Sequence, residues 1–172
     1  MEYTRCTHEF GPFYREDSEI LILGSFPSVK SREQKFYYGH PQNRFWRMLA
    51  DTFGEKTPGS QEEKETLLEA HQIALWDVIE ACDIKGSSDS SIRSVLPTQL
   101  EIILSAAPIR LICANGKLAG RLLGLYHGEY LLKYHPQIQV RILPSTSPAN
   151  AACRMEQLME SWKEALLSSE AC

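Results

Sequence analysis

Residues 19–28 read Glu-Ile-Leu-Ile-Leu-Gly-Ser-Phe-Pro-Ser. The run Glu19 to Leu23 shows no alternation of polar and apolar side chains, so it predicts a short strand buried on both faces and ending at Gly24. Three further runs have the same character: Ile73 to Trp76, Arg110 to Ala114 (RLICA) and Val140 to Leu143, which ends at Pro144. Helical patterns lie between and after them. Asn43 is placed to cap a helix over Arg44 to Phe53, where Phe45, Met48, Leu49 and Phe53 recur at helical spacing. Ser60 and Glu63 form a capping box for a helix to about Gln72. Pro97 to Ala106, Asn115-Gly116 to about Leu123, and Arg154 to Leu167 read as helices too. Ser25 to Gln42 reads as a loop. Strands alternating with helices imply a three-layer α/β fold: a central, mainly parallel four-stranded sheet flanked by helices. Residues 1–172 are the length of one domain.

In such a sheet the site lies beyond the C-terminal strand ends. That rule selects the loops after Leu23, Trp76, Ala114 and Leu143, and the unusual residues fall in the first, second and fourth. The first contains Gly24-Ser25-Phe26-Pro27-Ser28 and then Phe36-Tyr37-Tyr38-Gly39-His40-Pro41-Gln42-Asn43-Arg44-Phe45-Trp46. A glycine after a strand lets a ligand approach the backbone. Tyr37 and Tyr38 offer flat faces on which a nucleobase can stack for roughly 1–3 kcal/mol, although either could instead pack the loop down. The fourth loop is Leu143-Pro144-Ser145-Thr146-Ser147-Pro148-Ala149-Asn150. Its hydroxyls, held between prolines, suit phosphate oxygens; a helix cap is the plainer reading.

Composition narrows the classes. Hydrophobic residues make up 43% and charged residues 23%, enough for a full core without a metal or disulfide staple. No apolar run reaches the roughly 18 residues of a membrane span. Met1 to Glu19 is polar and resembles no signal segment, so a cytoplasmic protein is expected. Cys6, Cys82, Cys113, Cys153 and Cys172 form no close pair and no Cys/His cluster; reduced, mostly buried thiols and no metal site are expected. His127 and His135 have no evident partner and read as surface histidines, and Asn115-Gly116-Lys117 as a strand-to-helix turn. There is no nucleophile elbow. The net charge is −4, yet Ser28 to Ala50 holds five basic residues (Lys30, Arg32, Lys35, Arg44, Arg47) and one acid, Glu33. A local basic edge can bind phosphates on an acidic body.

The two loops together resemble the signature motifs of the uracil-DNA glycosylase superfamily. G-S-F-P-S with Y-Y-G-H-P-Q-N-R-F-W is similar to the first, and L-P-S-T-S-P-A-N to the second. Their wording resembles the hypoxanthine-DNA glycosylase branch, over about Phe10 to Met155. The resemblance implies a monofunctional hydrolase of base-excision repair, needing no cofactor. It would take a deaminated base, foremost hypoxanthine, flipped out of double- or single-stranded DNA, and would act as a monomer.

Residue roles follow from that resemblance. Where mismatch-specific members carry an asparagine that holds the attacking water, this chain has Phe26, and the role passes to Asn43. Gly24, Ser25, Phe26, Tyr38 and Asp77 would bind the base: Tyr38 by stacking, the backbone at Ser25 and Phe26 and the Asp77 carboxylate by reading its edge. Pro27, Ser28, Ser145, Thr146, Ser147, Pro148 and Asn150 would contact DNA. Residues 149–155 would border the space left by the flipped base, and the polar turn Gly86 to Ser91 would flank the DNA. Ser145 stands where several members have histidine, which leaves uracil in question. Uracil or mismatch-specific activity, or a non-catalytic DNA- or nucleotide-binding module, are the alternatives. Asp77 and Asn43 also have plainer readings, as caps of the turns that follow them.

Overall fold

A computed structural model describes residues 2–168; Cys172 lies outside them. Four strands form the central sheet: β2 (Ile20–Gly24), β3 (Ile73–Asp77), β6 (Leu111–Asn115) and β7 (Gln139–Leu143). They pair in parallel in the order β3-β2-β6-β7. Every residue of β2 and β3 is buried, as the unbroken apolar runs require. β7 is the edge strand and exposes Val140 and Ile142.

The side chains of β7 locate the flanking layers. Ile142 lies against Gly120 in helix α5 (Lys117–Tyr134), whereas its neighbour Arg141 pairs with Glu164 in α6 (Met155–Ser168) at 3.6 Å. Successive strand residues point to opposite faces, so α5 and α6 cover opposite faces of the sheet. Helix α2 (Phe45–Thr52) shares the α6 face: Phe45 meets Trp162 edge-on at 6.2 Å. Helix α3 (Gln61–Ala70) precedes β3, and its Ser60 accepts from the Glu63 N–H. Glu63 returns the bond to Gly59 rather than to Ser60. The three-layer α/β arrangement is the one the sequence implies.

A second, antiparallel sheet was not expected. It contains β1 (Thr4–Thr7), β4 (Ile79–Ile84) and β5 (Arg93–Pro97) in the order β1-β4-β5. Pro97 therefore ends a strand instead of opening a helix, and α4 is only Glu101–Leu104. Within the first loop, Val29–Gln34 forms α1, capped by Ser28, whose Oγ accepts from the Ser31 N–H at 3.1 Å. Helix α5 runs through Gly124 and Gly128 to Tyr134; glycine costs a helix about 1 kcal/mol and did not end this one.

Burial corrects several single-residue readings. His127 is buried rather than on the surface, and burial lowers its pKa, favouring the neutral ring. His135 meets the Tyr130 hydroxyl at 3.2 Å and Glu101 at 3.5 Å. Cys6, Cys82, Cys113 and Cys153 are free thiols. Cys82 and Cys113 are buried, and desolvation pushes them up to about 11 and about 12. Cys6 and Cys153 are half-buried.

Candidate active site

The C-terminal ends of the parallel strands open into one cavity of about 650 Å³, within the range of pockets that hold small ligands. Registry sets its floor. Gly24 pairs with Asp77, and Asn115, one residue past the Leu23–Ala114 pair, lies opposite Leu143. The glycine is required. A Cβ at position 24 would lie 2.5 Å from Asp77 Oδ1 and 3.2 Å from the Tyr38 hydroxyl. The absent side chain is what lets both polar groups converge.

Asp77 is almost wholly buried. Its Oδ2 lies 2.8 Å from His8 Nε2, and the two side chains are 4% and 1% exposed. His8 Nδ1 faces the Phe10 carbonyl oxygen. Burial by itself would lower the His8 pKa, but Asp77, helped by the Phe10 carbonyl and the Glu80 charge, outweighs it, and the net shift is upward. His8 follows β1, and its backbone N–H bonds to the Glu80 carbonyl of β4 at 2.7 Å. The second sheet thus places an imidazole against the carboxylate that the first sheet presents.

Both tyrosines line the cavity, but they are held differently. Tyr37 is 2% exposed and donates to the Gly11 carbonyl at 3.0 Å, so it packs the loop. Tyr38 stacks on Phe45, with ring centroids 4.1 Å apart, and lines the cavity. Its φ of +54° is unusual for a bulky residue, and backbone strain of this kind is found at functional sites. The Tyr38 hydroxyl is buried and makes no hydrogen bond of good geometry. Burial, then the Asp77 charge, hold both phenols protonated.

Asn43 lines the same cavity. Its Oδ1 accepts from the Phe45 N–H at 3.0 Å, so the side chain supports the start of α2 while facing the cavity. Phe26 is buried with its ring edge-on to His8 at 6.2 Å. The Ser25 carbonyl accepts from the Ile79 N–H at 3.1 Å, and Gly24, Ser25 and Phe26 all line the cavity.

The fourth loop is braced more than it is exposed. Thr146 is fully buried: its Oγ1 accepts from Asn115 Nδ2 and its N–H donates to Asn115 Oδ1, both at 3.0 Å. Its side chain is therefore a strut, not a phosphate contact. Asn150 Nδ2 donates to the Ser145 carbonyl at 3.0 Å, again within the loop. Ser145 Oγ and Ser147 Oγ accept from the N–H groups of Ser147 and Ala149. Both still line the cavity, with Pro148, Pro27 and Ser28. The predicted basic edge is reduced in the same way. Arg44 donates to the carbonyls of Cys153 and Asn150, and Arg32 donates to Cys6 Sγ and to the Gly86 carbonyl. Both guanidinium groups are structural.

Sequence reasoning missed Asn115 and His8. Asn115 ends a strand, where polar residues are ordinary, and its role appears only once Thr146 is beside it. His8 lies in a polar segment with no motif of its own. Ser87 to Ser90 line the cavity rim as expected of the polar turn.

The cavity joins a buried carboxylate, an aromatic wall and an amide at the mouth. This is the equipment for holding a flat heterocycle and a water. The profile of the uracil DNA glycosylase superfamily matches residues 12–168. A hypoxanthine DNA glycosylase of Methanosarcina acetivorans is 39% identical over 137 residues, 78% of this chain and 82% of the relative. A hypoxanthine DNA glycosylase of Methanosarcina barkeri is 33% identical over 163 residues, 91% and 95%. The solution NMR structure of a candidate uracil DNA glycosylase from M. acetivorans superposes with a TM-score of 0.78 at 34% identity, covering 94% of this chain and 96% of that one. By profile, relatives and fold together, the chain belongs to the uracil DNA glycosylase superfamily.

Proposed function

We propose that the chain is a monofunctional DNA glycosylase of base-excision repair that hydrolyses the N-glycosidic bond of hypoxanthine. Residues 1–172 act as one domain and one monomer on duplex or single-stranded DNA. The observation that carries the reading is the Asp77 carboxylate, buried beside Gly24 and Tyr38 on the floor of the cavity. Hypoxanthine presents N1–H where adenine presents a bare N1. A carboxylate oxygen accepts from the first and repels the second.

The nucleotide leaves the stack, at a cost of a few kcal/mol that is smallest for a mispaired base. Tyr38, backed by Phe45, stacks on the base. Asn43 orients a water toward the sugar C1′. The bond breaks through an oxocarbenium-like state, with charge stabilised by fixed dipoles and the DNA phosphates instead of a second carboxylate. Ser28, Ser145 and Ser147 at the rim face the flanking backbone. No lysine enters the proposed chemistry, so the sugar–phosphate chain stays intact.

The test is single-turnover excision on oligonucleotides carrying one hypoxanthine, uracil, xanthine or adenine, as duplex and as single strand. Hypoxanthine release without strand cleavage is the expected result. Release of none of these bases overturns the reading. Uracil N3–H fits the same acceptor, so faster uracil release would reassign the substrate within the superfamily.

A further inference from the structure

We propose that His8 is a positioning residue that makes Asp77 an acceptor-only reader of the flipped base, the feature by which the site refuses adenine; this rests on the glycosylase reading above. The argument is a count of protons. A carbonyl oxygen cannot donate, so the His8 Nδ1 that faces the Phe10 carbonyl carries a proton. The opposite nitrogen, Nε2, lies 2.8 Å from Asp77 Oδ2. One further proton occupies that contact. It sits either on Nε2, giving imidazolium beside carboxylate, or on Oδ2, giving a neutral ring beside a carboxylic acid. In both arrangements Oδ1 is bare.

Oδ1 is the oxygen that rests against Gly24, at the cavity floor. The side chains of the pair are 1% and 4% exposed, so water does not take over the role of His8. A buried carboxylate without such a partner takes up a proton more readily, and that proton is free to settle on Oδ1. It would then donate to a bare ring nitrogen, which is what adenine N1 offers. Pinning the proton in the Nε2–Oδ2 contact removes that state. The groups facing the pair are Glu80 of β4, whose charge raises the His8 proton affinity, and the neutral phenols Tyr37 and Tyr38. Phe10 and Phe26 pack beside the ring.

The inference explains why β1 and β4 lie against the end of β3. β4 starts two residues after Asp77, and the bond from the His8 N–H to the Glu80 carbonyl fixes the imidazole height. It also separates the reading of the base from water activation: His8 acts through Asp77, and Asn43 acts on the water.

The test measures single-turnover hypoxanthine excision from pH 5.5 to 9 for the full chain, with His8→Leu and His8→Gln variants. Binding to otherwise identical duplexes carrying hypoxanthine or adenine is measured in parallel. Wild type is expected to hold its rate across this range, because Oδ1 stays bare with or without the contact proton. His8→Leu is expected to be at least about tenfold slower at pH 6.5, to recover as pH rises, and to narrow the hypoxanthine-over-adenine binding preference about tenfold. His8→Gln, whose amide donates to Oδ2, is expected to regain most of the rate at every pH. Thermal melting confirms that each variant is folded. A folded His8→Leu with the wild-type rate, pH profile and binding preference overturns the role of His8. A loss that is uniform across pH and tracks the folded fraction also overturns it. If wild type itself excises no hypoxanthine at any pH, the glycosylase reading fails, and this inference fails with it.

Discussion

The parallel sheet brings Gly24, Asp77, Asn115 and the Ser145–Ser147 turn to the cavity from the ends of its four strands. The antiparallel sheet brings Ile84 and the serine-rich turn between β4 and β5 to the cavity, and sets His8 against Asp77. The first has β2, β3 and β6 as buried runs, with only its edge strand β7 exposed, and the second has short strands that alternate or stay exposed: β1 is exposed at three of its four positions and β5 is mostly exposed. The two meet at Asp77 and Ile79. What the difference teaches is a division of labour. A deep, well-packed sheet fixes where Asp77 stands, the group proposed to read the base, and a lighter sheet supplies its His8 partner.

The sharpest way to break that division is to remove the group both sheets share. Asp77→Leu deletes a charge-assisted hydrogen bond to the base, worth roughly 1.5–3 kcal/mol, or about 10- to 100-fold in excision. It also strands His8, and breaking a buried pair destabilises by about 3–5 kcal/mol. Excision per folded molecule, with the folded fraction from thermal melting, separates the two losses. Unchanged excision by folded Asp77→Leu would remove the carboxylate from base reading.

A smaller effect is expected at Asn115, which ends a strand of the parallel sheet and braces Thr146. Asn115→Ala leaves the Thr146 N–H and hydroxyl without their partners, at about 1–3 kcal/mol. Denaturant titration should show that loss, with excision falling mainly through a looser fourth loop. If stability is unchanged, the Asn115–Thr146 clamp does not brace the cavity.

These two residues also show what the sequence made legible. Apolar runs named all four strands of the parallel sheet; for β2, β3 and β6 the reason is double-sided burial, which leaves little room for polar residues, while β7 is an exposed edge. The site loops followed from the strand ends, and Asn43, Tyr38 and Asp77 all line the cavity they form. The antiparallel sheet stayed hidden because Thr4–Thr7 and Arg93–Pro97 carry no pattern apart from their pairing with β4. Thr146, Asn150, Arg32 and Arg44 misled for a related reason. Hydroxyls, amides and guanidinium groups suit phosphate, and they suit loop carbonyls and amides equally well. Only three-dimensional proximity tells which they bind.

Salt dependence of DNA binding sharpens the arginine correction. With Arg32 and Arg44 turned inward, Lys30, Lys35 and Arg47 remain of the five basic residues, and Lys30 and Arg47 lie near Glu33 and Asp51. Three contacts at about −0.9 each give a slope no steeper than about −2.7 in log K against log salt. A slope of about −4.5, the value for all five, would return those arginines to the DNA surface.

The smallest effect is on stability against pH. The His8 pKa is raised in the folded chain, so its contribution is complete below the unfolded value of about 6.5 and is lost as pH rises through the folded value. The Tm advantage of wild type over His8→Gln should therefore shrink with rising pH. His127, shifted the other way, is present in both proteins and cancels. An advantage that grows with pH would contradict the proton assigned to the His8–Asp77 contact.

The central claim, that this cavity hydrolyses a glycosidic bond with Asn43 holding the water, is tested most directly by Asn43→Ala beside Asn43→Ser. Serine keeps an acceptor for the Phe45 N–H, while alanine also loses that cap, worth about 1 kcal/mol. Single-turnover excision of hypoxanthine should fall by about 100-fold or more in both, since a misplaced reactant alone can cost that much. Folding and affinity for the same duplex should be retained. Near-normal excision by folded Asn43→Ala would contradict the claim.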